Sequence, residues 1–263
     1  MRLLVVVRQV PDSRATLTVL PDGSGLDTSG VKLVCDPFDE FGVEQAVQLR
    51  EKRSDVQEIV AITIGPSIAV QTLRTALAMG VDSGIHVTVE QSAMHDELYL
   101  ARAIAAAIVR DEQGFDLILC GKQGIDNDAG ELGPALAEFL DRPHIGAVVE
   151  LNFSESGDRA DAKRQIEGGV EVVQTGLPAL ITCEKGLVEP RYPTLPNIMK
   201  AKKKPVETVD ALTLPGMADA SPATTFIGLA LPPAREACRM IEGTPEDMAR
   251  ELVRVLREEA KVI

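Results

Sequence analysis

The sequence predicts an α/β fold, a doubly wound and mainly parallel sheet with an antiparallel extension and a C-terminal arm. Three observations lead to this prediction. Apolar runs of strand length alternate with segments of helical period through the first 120 residues. These runs are continuously rich in Val, Ile and Leu, which is typical of parallel strands covered on both faces. After Pro143 the pattern changes to short alternating runs, which favour antiparallel strands.

The first half of the chain gives the parallel part of the sheet. Its strands are expected at 3–7, 59–64, 85–89 and 115–120. The helices between them are expected at 43–49, 68–79 and 98–109. Gly80 follows the second of these helices and is expected to close it as a C-cap. Because crossovers between parallel strands are right-handed, these helices should cover both faces of the sheet.

The residues after Pro143 extend the same domain. A glycine pair, Gly168-Gly169, predicts a hairpin between two of the new strands. A further strand is expected at 180–183, just before a proline-rich segment. The antiparallel strands are expected at 147–153, 164–167 and 170–174.

The last part of the chain has little regular pattern before its final helix. Residues 205–233 are rich in proline and glycine and are expected to be mostly loop. Thr244 and Pro245 then form an N-cap and first position for a helix that should run to about residue 260. We therefore divide the chain into an α/β domain, 1–205, and a C-terminal extension with a terminal helix, 206–263.

Composition and charge exclude several classes of function. At 263 residues with 45% apolar content, the chain can bury a sizeable core. Its formal charge of -13 makes nucleic acids and anionic membranes poor partners for the surface as a whole. The N-terminus shows no leader, and no run approaches the roughly 18 apolar residues that span a bilayer. We therefore expect a cytoplasmic protein with no direct membrane insertion.

The chemistry-bearing residue types show no local clustering. Cys35, Cys120, Cys183 and Cys238 are far apart and include no Cys-x-x-Cys pair. The three histidines are also scattered, with no metal-ligand or nucleophile motif around them. We expect no metal site and no catalytic residue, and the cysteines should fill the core.

The segment 189–205 is an unusual arm. Pro190, Pro193 and Pro196 recur at every third position and hold an extended chain that cannot join a sheet, and a short basic helix follows. Leu195 lies between Thr194 and Pro196 without apolar periodicity, so burial in its own domain is not expected. An exposed apolar side chain on such an arm favours contact with another protein.

The segment 121–133 leads from a predicted strand into a helix opened by Pro134. In open α/β sheets, ligands bind at the carboxyl ends of the strands, and helix N-termini favour anions. The segment lacks the Gly-x-Gly-x-x-Gly and Walker patterns, so by itself it allows either a nucleotide site or an ordinary glycine-rich connection.

Four segments in order carry a family resemblance. The arm 189–205 is joined by Asp-Pro-Phe-Asp-Glu at 36–40, Thr-Ala-Leu-Ala-Met-Gly at 75–80 and Gly-Lys-Gln-Gly-Ile-Asp at 121–126. Together they resemble the beta subunit of electron transfer flavoprotein (ETF), a heterodimeric carrier of electrons between flavin enzymes. The resemblance implies a Rossmann-like fold of the adenine-nucleotide-binding type.

The resemblance also implies a nucleotide site, which holds AMP in single-flavin carriers and a second FAD in electron-bifurcating ones. Backbone amides of 129–132 would hold a phosphate at the helix start, and Phe38 would reach the flavin of the partner chain. The implied cofactor-binding residues are Val6, Asp36, Pro37, Phe38, Asp39, Ile64, Gly121, Lys122, Gln123, Gly124, Ile125, Asp126, Asn127, Asp128, Ala129, Gly130, Glu131 and Leu132.

The chain departs from both patterns of this site. AMP-type members usually have Asn at Asp36 and Asn-Gln-Thr at 130–132, whereas bifurcating members usually have Asp-Gly-Asp-Thr-Ala-Gln-Val-Gly at 126–133. Glu131 would repel a phosphate unless its side chain turns outward. We favour AMP, with FAD second. With no Trp, two Tyr and six Phe, the chain has few aromatic rings for a flavin, so the redox FAD is assigned mainly to the alpha subunit.

The resemblance implies an electron-carrier subunit rather than an enzyme. It would pair with an ETF alpha subunit and shuttle electrons from acyl-CoA dehydrogenase-like flavoenzymes to a membrane quinone oxidoreductase or similar acceptor. Two alternatives stay open, a bifurcating ETF subunit and a non-redox nucleotide-binding regulatory domain; an ATP-using enzyme is disfavoured by the missing phosphate motif. The expected partner-binding residues are Arg191, Tyr192, Leu195, Ile198, Met199 and Lys200.

Overall fold

One long sheet organises the first part of the chain. The computed structural model describes residues 1–235 and 237–263 and divides them into a unit that carries the sheet, Met1–Gly228, and a second unit, Leu229–Ile263. The strands are β1 (Arg2–Val6), β2 (Gln9–Pro11), β3 (Thr18–Val19), β4 (Leu26–Asp27), β5 (Leu33–Cys35), β6 (Glu58–Gly65), β7 (Ser83–Thr88), β8 (Leu117–Gly121), β9 (His144–Phe153), β10 (Arg159–Ile166), β11 (Gly169–Gly176), β12 (Ala179–Cys183) and β13 (Val206–Asp210). The helices are α1 (Pro37–Lys52), α2 (Val70–Met79), α3 (Glu97–Ile108), α4 (Leu132–Phe139), α5 (Leu195–Ala201) and, in the second unit, α6 (Pro245–Arg254).

The order of the strands confirms the predicted fold class. Within the described residues, nine strands form one sheet in the order β11-β10-β9-β12-β8-β1-β6-β7-β13. In this order, all neighbouring strands from β9 through β12, β8, β1, β6 and β7 to β13 are parallel. Strand β10 is antiparallel to both of its neighbours, β9 and β11. The antiparallel strands therefore extend the main sheet, as the change of pattern after Pro143 predicted.

The two faces of the sheet bury separate apolar clusters. Side chains alternate along a strand, so Leu3 and Val5 of β1 pack with α1 and α2, whereas Leu4 and Val6 pack with α3 and α4. Helices on both faces explain why the central parallel strands β1, β6 and β8 are apolar at most positions. The sheet is doubly wound.

Local signals set the ends of several helices. Gly80 follows α2 with a φ of 141°, a conformation that favours glycine, and its amide bonds back to Ala76. Thr244 caps α6 by accepting a hydrogen bond from the Asp247 amide, and Pro245 is the first helical residue. Both signals were predicted.

The structure differs from the expected elements in several places. Residues 205–233 include β13, which pairs in parallel with β7 at the edge of the sheet and lies in the Met1–Gly228 unit. Helix α4 begins at Leu132, before Pro134, because the proline fits within the first helical turn, where its missing N–H has no partner to lose. In the hairpin, Gly168 has the positive φ, and Gly169 already pairs with Ile166.

In the second unit, α6 continues into a single π-helical turn, Val255–Glu259. Met248, Leu252 and Val253 of α6 are exposed. Nowhere in 1–235 or 237–263 does a helix combine the length and apolar content that crossing a bilayer requires.

Candidate functional site

The candidate site lies at the carboxyl ends of β8, β1 and β6. The chain leaves β1 toward β6 through α1 on one side, and β8 flanks β1 on the other side, so β1 is the point where the winding direction reverses. Crevices at such switch points are the usual ligand sites of open α/β sheets. The loop 122–131 connects β8 to α4 and forms one wall of this crevice.

Two buried carboxylates join this loop to the start of α1. Asp36 caps α1, and its oxygens accept hydrogen bonds from the Phe38 amide and the Ile125 amide, each at 2.9 Å. Asp39 accepts from the amides of Arg8 and Gly121, each at 2.7 Å. These bonds hold the ends of β1 and β8 against the first turn of α1.

Arg8 supplies the positive charge beneath the crevice. Its guanidinium lies 2.9 Å from the Glu97 carboxylate and 4.0 Å from that of Asp36. Burial raises the pKa of Asp39 to about 7, and the Asp36 carboxylate also raises it, against Arg8 and the two amide donors. Burial likewise raises the pKa of Asp36.

The loop is folded tightly on itself. The Asp128 amide donates to the Gly124 carbonyl at 2.9 Å, and Asp128 has a φ of 52°. The Asn127 side chain accepts from the Ala129 amide at 3.0 Å and donates to Glu97 at 2.9 Å. At the start of the loop, Lys122 forms an ion pair with Glu184 at 2.7 Å. Gly130 and Glu131 are left exposed at the helix start.

The start of α4 presents backbone amides. The first amides of a helix lack intrahelical acceptors, which makes this end suitable for an anion. Gly133 is buried, and a β-carbon there would overlap the methyl group of Thr182 in β12. The backbone of α4 therefore lies close to β12 at this position. Glu131 precedes the helix, and its side chain is exposed and also lines the cavity described next.

A cavity of about 400 Å³ opens beside this helix start, lined among others by Glu97, Asn127, Ala129, Glu131 and Thr224. One Glu97 oxygen binds Arg8 and Asn127, and the other is buried with no hydrogen-bond partner among the described residues. Sequence reasoning missed Glu97 and Arg8. The sequence signal for Arg8 was a charge just after an apolar strand, and the signal for Glu97 was an acidic residue at the start of a helix.

The other predicted cofactor-binding residues surround this crevice. Val6 and Ile64 are buried, and their side chains belong to the apolar cluster on the α3 face. Phe38 is half-buried and packs edge-on against Phe41, with ring centroids 6.3 Å apart. Along the loop, residues 121–125 are partly or fully buried and 126–128 are exposed. The expected residues thus lie around one crevice.

The arm projects a second group of predicted residues. Tyr192 is 94% exposed and Leu195 is 73% exposed, and Ile198, Met199 and Lys200 are also exposed. The Arg191 guanidinium instead lies against α1, where it binds the carboxylates of Glu44 and Glu51. The arm therefore presents apolar side chains to its surroundings from a base that is tied to the domain.

Fold, crevice and arm define a class of protein, a doubly wound α/β protein with a ligand crevice at a switch point and an exposed apolar arm. The family model described as "Electron transfer flavoprotein domain" matches residues 24–214. The chain belongs to the electron transfer flavoprotein family, and its curated relatives are beta subunits. This confirms the resemblance predicted from the four segments.

The relatives match the chain over almost all of its length. The chain is 40% identical over 265 residues to electron transfer flavoprotein subunit beta of Bacillus subtilis (strain 168), covering 100% of both. It is 42% identical over 259 residues to the Mus musculus subunit beta, covering 98% of both. It is 35% identical to the mitochondrial subunit beta of Arabidopsis thaliana, covering 100% of both.

Proposed function

We propose that this chain is the beta half of a heterodimeric electron carrier that works in the cytoplasm. It pairs with an ETF alpha subunit and passes electrons from acyl-CoA dehydrogenase-type flavoenzymes to a membrane quinone oxidoreductase or similar acceptor. The observation that carries this proposal is the arm, which leaves Leu195 73% exposed on a chain of this family. An exposed apolar anchor on such an arm suits the small, short-lived interfaces of electron-transfer partners.

Exposed apolar residues support pairing with another subunit. Val170 and Val172 are exposed on β11, the edge strand of the sheet, where an unpaired strand edge favours association. In the second unit, Met248 and Leu252 of α6 are exposed on one face of the helix. Apolar surfaces of this kind mark protein interfaces, and an alpha subunit would cover them.

The redox cofactor belongs mainly to the partner in this proposal. FAD supplies the electron-carrying chemistry when it is bound. This chain contributes few aromatic side chains, and Phe38, half-buried at the start of α1, is the one that would reach a flavin held by the alpha subunit. The role of this chain is to shield the flavin and to dock the donor.

The crevice residues fit an adenine mononucleotide. The cavity of about 400 Å³ is within the usual volume range of small-ligand sites. Of the amides of 129–132 that the sequence assigned to a phosphate, that of Ala129 already donates to Asn127, so those of 130–132 at the start of α4 would hold it. Asp36 keeps both oxygens on backbone amides, so its charge is turned away from a ligand. The unpartnered Glu97 oxygen would accept a hydrogen bond from a ligand hydroxyl or amino group. AMP is the ligand that we favour, with a second FAD as the alternative.

Co-purification with an ETF alpha subunit tests this proposal. A yellow one-to-one complex with one FAD and one AMP is the expected result, measured by absorbance and by chromatography of the extracted nucleotides. Two FAD per complex would instead indicate the electron-bifurcating form. A colourless homodimer that does not bind the alpha subunit would refute the proposal and favour the alternative of a non-redox nucleotide-binding regulatory domain.

A further inference from the structure

The base of the arm is fixed by an arginine bound between two carboxylates of α1. Arg191 donates four hydrogen bonds from its guanidinium, with Nε to Glu44 at 2.7 Å, Nη1 to Glu51 at 2.7 Å, and Nη2 to both carboxylates at 3.0 Å. Its backbone amide also donates to Glu44 at 3.2 Å. We call this group of three residues, Arg191, Glu44 and Glu51, the Arg191 clamp.

The clamp lies partly out of water. The Glu44 side chain is only 3% exposed, so its charge depends on Arg191. Burial opposes ionisation of Glu44, but the hydrogen bonds from Arg191 and Gln48 together outweigh it and lower the pKa of Glu44 below its usual value. A bidentate, partly buried pair of this kind fixes geometry better than an exposed surface pair.

The far end of the arm is fixed independently. Arg74 of α2 donates to the carbonyls of Ala201 at 2.8 Å and Lys204 at 3.0 Å. The Lys204 ammonium donates to the Leu77 carbonyl at 3.0 Å, and Ala201 is buried. The exposed residues of the arm therefore lie between two attachments to neighbouring helices.

We propose that Arg191 is a positioning residue, which holds the base of the arm on α1 so that Leu195 is presented to the donor in its docking geometry. This inference rests on the proposed function of the arm. It differs from the sequence-based expectation, in which Arg191 touches the donor at the rim of the contact. An arm fixed before docking loses less conformational freedom on binding, which strengthens the complex without a new contact.

Two sets of variants separate positioning from direct contact. Arg191→Ala removes the clamp together with its cation, whereas Glu44→Gln combined with Glu51→Gln weakens the clamp and leaves the Arg191 cation free. Positioning predicts that both sets raise the KM for a reduced acyl-CoA dehydrogenase by about tenfold, the effect of losing about 1.4 kcal/mol of binding, with an unchanged limiting rate. Direct contact predicts that only Arg191→Ala weakens docking, and that result would overturn the inference.

A double-mutant cycle with Leu195 adds a second test. If Arg191 acts through Leu195, then Arg191→Ala should have almost no further effect on KM when Leu195→Ala is already present. Additive effects would overturn the inference. Arg110→Ala is the matched control, because it removes a surface pair with Glu207 on β13, 2.9 Å long, and should leave KM unchanged.

Amide hydrogen exchange in residues 189–201 distinguishes failure of the clamp from failure of the proposed function. The heterodimer carrying Glu44→Gln and Glu51→Gln should exchange faster in this segment, at unchanged FAD content. Unchanged exchange would overturn the clamp, even if Leu195→Ala still slowed donor reduction. Faster exchange combined with no effect of Leu195→Ala would refute docking through the arm, and the positioning role with it.

Discussion

The guanidinium of Arg8 and the carboxylate of Glu97 form an ion pair of 2.9 Å across 89 positions of sequence. Both side chains are buried, and the pair joins the end of β1 to the start of α3 under the candidate crevice. Because Glu97 also accepts a hydrogen bond from Asn127, the pair supports the loop that would hold the nucleotide. The charged pair beside the crevice therefore also stabilises the fold around it.

Removing one member of this pair should be costly. Glu97→Leu leaves Arg8 buried without its closest partner, and we expect the free energy of unfolding to fall by about 3 kcal/mol. Urea unfolding followed by circular dichroism measures this value. Glu207→Leu, which breaks the exposed pair with Arg110, should cost less than about 1 kcal/mol. Equal costs for the two variants would contradict this account of the buried pair.

Asp39 should make stability depend on pH near neutrality. Burial raises its pKa in the folded state from 3.8 to about 7, so the folded state binds the proton more tightly than the unfolded state. Stability from this group is fully present below pH 3.8 and is lost as the pH rises through 7. Asp39→Asn should therefore lose less stability than the wild type between pH 5 and pH 8. Parallel stability curves for the two proteins would contradict this prediction.

The start of α4 should not tolerate a side chain at Gly133. The methyl group of Gly133→Ala would overlap the Thr182 methyl, so the helix must shift at a cost of about 1–3 kcal/mol. We also expect the purified complex to retain less AMP. Gly130→Ala is the matched control, since its β-carbon would meet only the Lys122 carbonyl at 3.4 Å. Wild-type stability and AMP content in Gly133→Ala would show that the backbone there is not constrained.

Leu195 should anchor the donor. Leu195→Ala removes an exposed apolar side chain from the arm, and we expect about a tenfold loss of kcat/KM for reduction by an acyl-CoA dehydrogenase. The FAD content should not change. Leu212→Ala removes a leucine that is 52% exposed outside the arm and serves as the control. Equal rates for wild type and Leu195→Ala would remove the arm from the mechanism.

The sequence predicted the central strands well because they are buried on both faces and therefore apolar throughout. It missed β13, where only Val206 and Val209 are apolar, because an edge strand is covered on one side only. It also missed the pairing of β2 with β5, whose strands are three residues long, too short to show a period.

The position of the candidate crevice was predictable, but the charged pairs around it were not. The loop after β8 was found because it follows a buried strand, and Asp36 because it belongs to a family motif. The pairing of Arg8 with Glu97 depends on how distant elements meet, and no local spacing reports it. For the same reason, the contact of Arg191 with Glu44, 147 positions away, could not be read from the arm alone.

Reduction of the complex by a donor tests the central claim most directly. The chain, purified together with an ETF alpha subunit, would be mixed with an acyl-CoA dehydrogenase and its acyl-CoA substrate while flavin absorbance is followed. The account predicts rapid bleaching that requires this chain and slows in Leu195→Ala. A complex that binds FAD but is not reduced would contradict it. Equally rapid reduction of the alpha subunit in the absence of this chain would contradict it as well.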